Sequence, residues 1–525
     1  MWFILNSYWV ENVSKQERKK LDNDYTADVC IIGAGICGLS TGYYLAKNGL
    51  KIIILDKNGI GEKASGHTTA KITLQHGLIY DYLINTYGIN YALKYFEANK
   101  QAISNIKEII DSEKIDCDFE NQSNYVYTTD KKEVEKIENE VSAINALQMY
   151  SSGEKYAQFV TCSELPFKIA GGIKTKNQAQ FHPLKYMQGL ANSIGKNGGI
   201  IFTNSLADNV EKGDNCYITY SGEWKVKSKY VVIATHYPFI NFPGLYFSKM
   251  YQSTSYAIVI ETSKTLFDGM YINTKEPIYS FRTLKDGNRR LLIISGGNHK
   301  TGYAPESNLN YGYRNLEEEA KKLYPDCKIL YKWNTRDCIT LDKIPYIGEF
   351  SHIMPNMYVA TGFNKWGMTS SNVAANIIKD KILGIENKYS EVFDSTRVKP
   401  IKNRTELKNI VKQVAKSFVS NRLKVPKEDL SSIKNDNGGI IKVNGLNIGI
   451  YKNEEGKVYA VNPTCTHLGC LLTWNNLDKT WDCPCHGSRF DNTGKNLYDP
   501  AFKDLEKYEL DDFGDGGKNH DWFFI

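Results

Sequence analysis

Two hydrophobic patterns alternate along the front of this chain, and they predict buried strands interleaved with helices. Asp28-Val29-Cys30-Ile31-Ile32 and Lys51-Ile52-Ile53-Ile54-Leu55 are short apolar runs, the mark of strands covered on both faces. Between them residues 39–47 read as a helix that Asn48-Gly49 stops. Residues 92–112, 131–148 and 181–198 read as further helices, and 229–236 as another strand. The pattern then changes. Residues 256–260, 278–282 and 290–295 are rich in aromatic and β-branched side chains and are separated by Asp286-Gly287-Asn288, which predicts an antiparallel sheet within about 240–330. Farther on, Leu407, Ile410, Val411, Val414 and Phe418 recur at helical spacing among Lys408, Lys412, Lys416 and Arg422, an amphipathic basic helix. Val425-Pro426 and the polar run to Asn437 mark a boundary.

A chain of 525 residues is too long for one core, and 42% hydrophobic with 24% charged residues is a globular balance. The expected division is an N-terminal extension (1–26), an α/β domain (27–396), a basic amphipathic linker helix (397–435) and a small C-terminal domain (436–525). The net charge of +6 is uneven: residues 397–434 hold eleven Lys/Arg against three Asp/Glu. One short basic segment without an aromatic-basic motif says little for nucleic acid, and no nucleic-acid partner is expected. The segment either lies on an anionic membrane or packs on a neighbouring domain. No stretch is long and apolar enough to span a bilayer, and Met1-Trp2-Phe3-Ile4-Leu5 lacks the length and preceding basic residues of a signal peptide. The expected location is cytoplasmic, peripheral at the membrane if the basic helix lies there.

The first strand runs into Gly33-Ala34-Gly35-Ile36-Cys37-Gly38, and Asp56 ends the second strand 23 positions after Gly33. This is a dinucleotide-binding unit. Gly33 permits the tight turn, Gly35 lets backbone approach a pyrophosphate, Gly38 lets helix and strand pack closely, and Asp56 can bind ribose hydroxyls. Glycines alone do not separate FAD from NAD. Near the C-terminus, Cys465-Thr466-His467-Leu468-Gly469-Cys470 and Cys483-Pro484-Cys485-His486-Gly487-Ser488 offer two thiolates and two imidazoles. That donor set suits a 2Fe-2S cluster with cysteines on one iron and histidines on the other. Zinc is the alternative, but zinc fingers pair Cys with Cys and His with His, whereas each box here mixes the two. The other seven of 11 cysteines have no metal-like spacing.

The two boxes resemble the cluster loops of Rieske proteins of the cytochrome bc-complex type. The resemblance implies Cys465 and Cys483 on one iron, His467 and His486 on the other, and a Cys470–Cys485 disulfide tying the loops. Upstream, Ile339-Thr340-Leu341-Asp342-Lys343-Ile344-Pro345-Tyr346-Ile347-Gly348 and Met357-Tyr358-Val359-Ala360-Thr361-Gly362-Phe363-Asn364-Lys365-Trp366-Gly367-Met368-Thr369, with the glycine fingerprint, resemble the D-amino-acid oxidase and glycine oxidase (DadA-like) superfamily of FAD enzymes over about 25–390. The implied fold is a Rossmann-like FAD domain of the glutathione-reductase type with an inserted antiparallel substrate sheet, followed by an all-β Rieske domain. In that superfamily the turn at Gly362, Trp366, Gly367 and Met368 faces the pyrimidine end of the flavin, and a helix starting there points free N–H groups at it. His67, in the small polar run 63–70, is either a covalent flavin attachment point or an ordinary hydrogen-bonding histidine.

An amino-acid substrate needs a cation for its carboxylate, and Arg282 and Arg336 are the candidates, with His299 and Lys300 behind them. No second nucleotide fingerprint is present. The expected function is therefore an FAD-dependent dehydrogenase that oxidises a small amine or amino acid and passes electrons singly through the 2Fe-2S cluster to an acceptor, a redox protein or a quinone. Histidine ligation places such a cluster at about −150 to +300 mV, within reach of a reduced flavin. The alternatives are reversed flow, in which an external donor feeds the cluster and the flavin reduces a substrate, and a non-enzymatic redox sensor.

Overall fold

The computed structural model describes residues 6–14, 16–151, 155–240, 242–302, 311–397, 430–443, 446–476, 478–498 and 500–508. The basic helix expected over 404–423 lies outside them. Two compact units divide the chain: Met1–Met250, Thr254–Asn298 and Gly312–Lys402 form one, and Asn403–Ile525 with Tyr251–Ser253 and His299–Tyr311 form the other.

In the first unit the buried apolar runs become the middle of an eight-stranded sheet, ordered Tyr346–Glu349, Met357–Thr361, Trp224–Ile233, Tyr25–Ile32, Ile52–Leu55, Ile200–Phe202, with Cys216–Ser221 also pairing Trp224–Ile233 and Asn209–Gly213 pairing Cys216–Ser221. The four pairings from Met357–Thr361 to Ile200–Phe202 are parallel, and Tyr346–Glu349 is antiparallel to its neighbour. Val29, Cys30, Ile31, Ile52, Ile53, Ile54 and Leu55 are fully buried, as strands with helices on both faces require. The helix after the first strand spans Ile36–Lys47, starting three residues earlier than the hydrophobic pattern places it, directly at Gly35. The other expected helices are Ile89–Glu113, Val134–Ser151 and Pro183–Lys196.

A nine-stranded sheet carries the segments expected over 240–330, but it draws on far more of the chain. Its order is Lys328–Thr340, Met250–Glu261, Arg289–Lys300, Tyr279–Asp286, Met270–Asn273, Glu120–Thr128, Gly171–Gln180, Lys71–Ile72, with Ala157–Val160 on Gly171–Gln180. The junction is the parallel pairing of Met270–Asn273 with Glu120–Thr128. A local pattern cannot reveal a partner strand so distant in sequence, and Glu120–Thr128 is polar over its first half.

The last described residue of this unit is itself anchored. Arg397 forms a two-pronged ion pair with Asp342 (2.7 and 2.9 Å) and donates to the carbonyls of Ile344, Pro345 and Asp394, with its guanidinium 3.9 Å from the Tyr346 ring. Arg397 therefore belongs to the α/β domain, one residue beyond the expected boundary.

The second unit contains two four-stranded antiparallel sheets: Asn437–Val443, Leu446–Lys452, Val458–Val461 with Lys507–Tyr508, and Thr473–Asn475, Thr480–Asp482, Arg489–Asp491, Asn496–Tyr498. Its core holds Trp481 and Phe490 beside four of the box cysteines. Among the described residues no helix is long and apolar enough to cross a membrane.

Candidate functional site

The glycine turn shows why it must be glycine. Gly33 has φ +109, and a Cβ there would stand 2.5 Å from the Ala234 carbonyl oxygen; a Cβ on Gly38 would stand 1.9 Å from the Gly33 carbonyl oxygen. Backbone is thus packed against backbone around the start of Ile36–Lys47, which has no side-chain cap on Gly35. Ser65 Oγ takes the Ile36 amide, and the remaining amides of the first turn, with the helix dipole, suit a pyrophosphate. Asp56 stands at the end of its strand and accepts from the amides of Ala34 (2.7 Å) and Asn58 (2.8 Å). Each carboxylate oxygen has a second lone pair for a hydroxyl, so this brace and ribose binding are compatible.

At the far end of the same sheet the chain leaves Met357–Thr361 through Gly362, whose φ is +72 and whose Cβ would meet Thr340 Cγ2 at 2.3 Å. Asn364 and Lys365 also hold positive φ, 51 and 73. Asparagine tolerates that region, but lysine does so only where its surroundings fix it. Those surroundings are three strands of the nine-stranded sheet: the Lys365 ammonium donates to Ser255 Oγ, lies 3.3 Å from Asn298 Oδ1 and 3.8 Å from the Asp337 carboxylate. Burial pulls its pKa down from the ordinary lysine value.

Trp366 then opens the helix Gly367–Leu383, with Met368 buried in its first turn. The Trp366 ring stacks on buried His76 (4.9 Å between centroids, 15° between planes). His76 Nδ1 is 2.7 Å from the Tyr95 hydroxyl and Nε2 is 2.8 Å from the Thr73 carbonyl oxygen, so Nε2–H donates and Nδ1 accepts. Burial holds the His76 pKa at about 3. Because that value lies below the unfolded 6.5, the unfolded chain binds more protons between the two, and stability falls as pH drops below about 6.5. His76→Gln should accordingly show a smaller loss of melting temperature between pH 7 and pH 5 than the unsubstituted protein.

His67 is held by its Nδ1, 2.9 Å from the Lys63 carbonyl oxygen. Burial above all lowers its pKa, against the raising effect of the Lys63 carbonyl hydrogen bond. Arg282 is 3% exposed and donates from NH1 to the carbonyls of Thr69 (2.9 Å), Ala70 (2.8 Å) and Phe181 (3.3 Å). Nε adds the Thr283 carbonyl (3.3 Å), so all four of these hydrogen bonds go to backbone. Arg336 is buried with NH2 3.4 Å from Asn334 Oδ1. His299 and Lys300 fall in the other unit, where Lys300 contributes to lowering the His486 pKa.

In that unit each box is closed by its own backbone. Cys465 N donates to Cys470 O (2.8 Å) and Cys483 N to Ser488 O (2.7 Å). Cys470 and Cys485 are bonded to each other (S–S 2.14 Å), as the resemblance implied. The sulfurs of Cys470, Cys483 and Cys485 lie within 4.8 Å of one another, but the disulfide uses two of them, which leaves Cys483 as the thiol of the three that could bind a metal. The Cys465 and Cys483 thiols are buried, at 3% and 0% exposure, and the His467 and His486 rings stand 5.0 Å apart at 88°. Burial lowers both imidazole pKa values, His467 to about 4 and His486 to about 3, so each presents a neutral ring. Two buried thiols and two neutral imidazoles are the donors a Rieske cluster needs.

The strand ends flanking the second box carry a buried ion cluster. Arg489 grips Asp482 with Nε (2.6 Å) and NH2 (2.7 Å) and reaches Asp478 with NH1 (2.9 Å).

Two family models match this chain. The FAD dependent oxidoreductase model (DAO) covers residues 28–381. The chain belongs to that family. The Rieske [2Fe-2S] domain model covers 424–509, so this oxidoreductase carries an iron-sulfur domain behind its flavin domain. The Bacillus subtilis (strain 168) protein YhfW, whose name describes a Rieske 2Fe-2S iron-sulfur protein, is 36% identical over 507 residues, covering 96% of this chain and 98% of YhfW. The gamma-glutamylputrescine oxidoreductase of Escherichia coli (strain K12) is 21% identical, covering 73% of this chain and 90% of the enzyme. The glycine oxidase of Geobacillus kaustophilus shares the fold at 18% identity, with a TM-score of 0.58 over 72% of this chain and 100% of its own.

Both cofactors of the oxidoreductase, FAD and the 2Fe-2S cluster, are those its motifs implied. Sequence reasoning passed over Lys365 as a candidate cation, although it stands inside the segment 362–369 that the superfamily resemblance implies faces the flavin. Its signal was a lysine between two glycines of that turn.

Proposed function

We propose that this oxidoreductase takes two electrons from a small amine or amino acid and delivers them singly through its Rieske centre to an external redox protein or quinone. When bound, FAD supplies two-electron acceptance and the cluster supplies one-electron conduction. The carrying observation is a flavin-type nucleotide turn and a complete Cys₂His₂ cluster set in one chain. The similarity to an enzyme named for gamma-glutamylputrescine, an amine that also carries a carboxylate, supports the substrate class. Lys365 is the cation for that carboxylate: it sits in the turn at 362–367, whereas Arg282 is turned to the backbone carbonyls of Thr69 and Ala70. The turn orients the substrate.

Anaerobic addition of candidate amines and amino acids, read by flavin bleaching and by the electron paramagnetic resonance of the cluster, tests the relay. Bleaching followed by the reduced Rieske signal is expected; bleaching that never yields that signal sinks it. Lys365→Met should raise KM for carboxylate-bearing substrates about tenfold or more, since a charge-assisted hydrogen bond contributes about 1.5–3 kcal/mol. Amines without a carboxylate should be unaffected.

A further inference from the structure

Residues 65–73 are fastened at both ends of the nucleotide site. At the start, Ser65 Oγ accepts from the amide of Ile36 (3.1 Å), in the first turn of Ile36–Lys47, and a Cβ on Gly35 would stand 3.1 Å from the same oxygen. At the finish, the Thr73 amide donates to Thr369 Oγ1 (3.0 Å), which donates back to the Thr73 carbonyl (2.9 Å). Thr369 lies in the first turn of Gly367–Leu383. The segment therefore runs from the pyrophosphate turn to the flavin-facing turn.

Between those ties four successive carbonyls are taken by side chains from distant parts of the chain. Trp333 Nε1 donates to His67 O (3.1 Å), Trp9 Nε1 to Thr68 O (2.7 Å), and Arg282 NH1 to Thr69 O and Ala70 O (2.9 and 2.8 Å). All three donors are buried, at 3%, 2% and 3% exposure. They also pack on one another and on the core: the Arg282 guanidinium stands 5.2 Å over the Trp9 ring, which meets His182 edge-on at 4.9 Å. Trp9 belongs to a single helical turn, Tyr8–Glu11, capped by Ser7, in what the hydrophobic pattern leaves as an extension. Ala70 holds φ 55, a conformation that a non-glycine residue keeps only where its neighbours impose it.

We propose that Trp9, Trp333 and Arg282 are positioning residues for FAD. By drawing the carbonyls of 67–70 to one side, they set which edge of the segment faces the cofactor, and the N-terminal turn is part of the cofactor site although it touches no cofactor. The proposal rests on FAD binding alone and not on the substrate or acceptor proposed above.

The test uses the full chain with Trp9→Phe and, separately, Trp333→Phe. Each keeps an aromatic ring in place and removes one N–H from one buried carbonyl. FAD dissociation constants are measured by titrating FAD-depleted protein, and the visible flavin spectrum is recorded at saturation. Each variant should bind FAD about tenfold more weakly, with a shifted flavin spectrum and an unchanged cluster signal. A Trp9→Phe protein with unaltered FAD affinity and spectrum overturns the proposal, whatever its melting temperature, because a purely structural role lowers only the latter. Should Trp9→Phe fail to fold, Trp333→Phe decides by the same readouts.

Discussion

Gly38→Val empties the flavin site. Its Cβ would lie 1.9 Å from the Gly33 carbonyl oxygen, and the obstructing atom is the backbone of the pyrophosphate turn itself. Overpacking costs about 1–3 kcal/mol where neighbours can yield. Here yielding means deforming the turn, so FAD affinity should fall by about a hundredfold or more. Flavin absorbance per chain after purification reads the loss, and a retained Rieske signal shows that the other unit has folded. Gly195→Ala is the matched control. It lies in the helix Pro183–Lys196 with open space around it, and should be neutral or stabilising by about 0.5–1 kcal/mol. A Gly38→Val protein that keeps its flavin contradicts the assignment of this turn.

The second large effect is expected at Arg489. Its guanidinium holds the buried carboxylates of Asp482 and Asp478 on either side of the strand end that launches the second cluster box. Removing one partner of a buried ion pair costs about 3–5 kcal/mol, because the remaining charges keep their desolvation and lose their counter-charge. Arg489→Ala should therefore destabilise the Rieske unit by that amount and release iron at temperatures where the unsubstituted protein retains it. Loss of the cluster signal during a thermal ramp, followed beside flavin release, measures it. Coincident loss of both signals at unchanged temperature would count against the role given to Arg489.

The contrast between these sites explains what could be read in advance. The glycine fingerprint and the two Cys/His boxes are contiguous, and each residue's role follows from neighbours within a few positions. The substrate sheet is different, since the Met270–Asn273 strand finds its partner near residue 124 and no local pattern carries that pairing. The same holds for cations. Arg282 looked like a carboxylate ligand because guanidinium suits carboxylates, yet its partners are carbonyls about two hundred residues away, at Thr69 and Ala70. Whether an arginine serves a ligand or the backbone is decided by tertiary contacts. Lys365 and the Trp9 brace went unnoticed for the same reason. The basic segment over 397–434 was legible as charge, and of its described residues, 397 and 430–434, Arg397 is fixed by an ion pair and Ile433 by burial in the core of the second unit.

The double fastening of residues 65–73, to Ile36 at one end and to Thr369 at the other, makes that segment a gauge of fixed length. Eight peptide steps reach at most about 29 Å, and the two anchors belong to separate helices whose spacing is set by the parallel sheet. A residue added or lost between the anchors would break a tie or buckle the row of captured carbonyls. Length variation among relatives that keep this flavin site should therefore fall outside 65–73, and an engineered one-residue insertion there should be far less tolerated than one beside the exposed turn at Gly222.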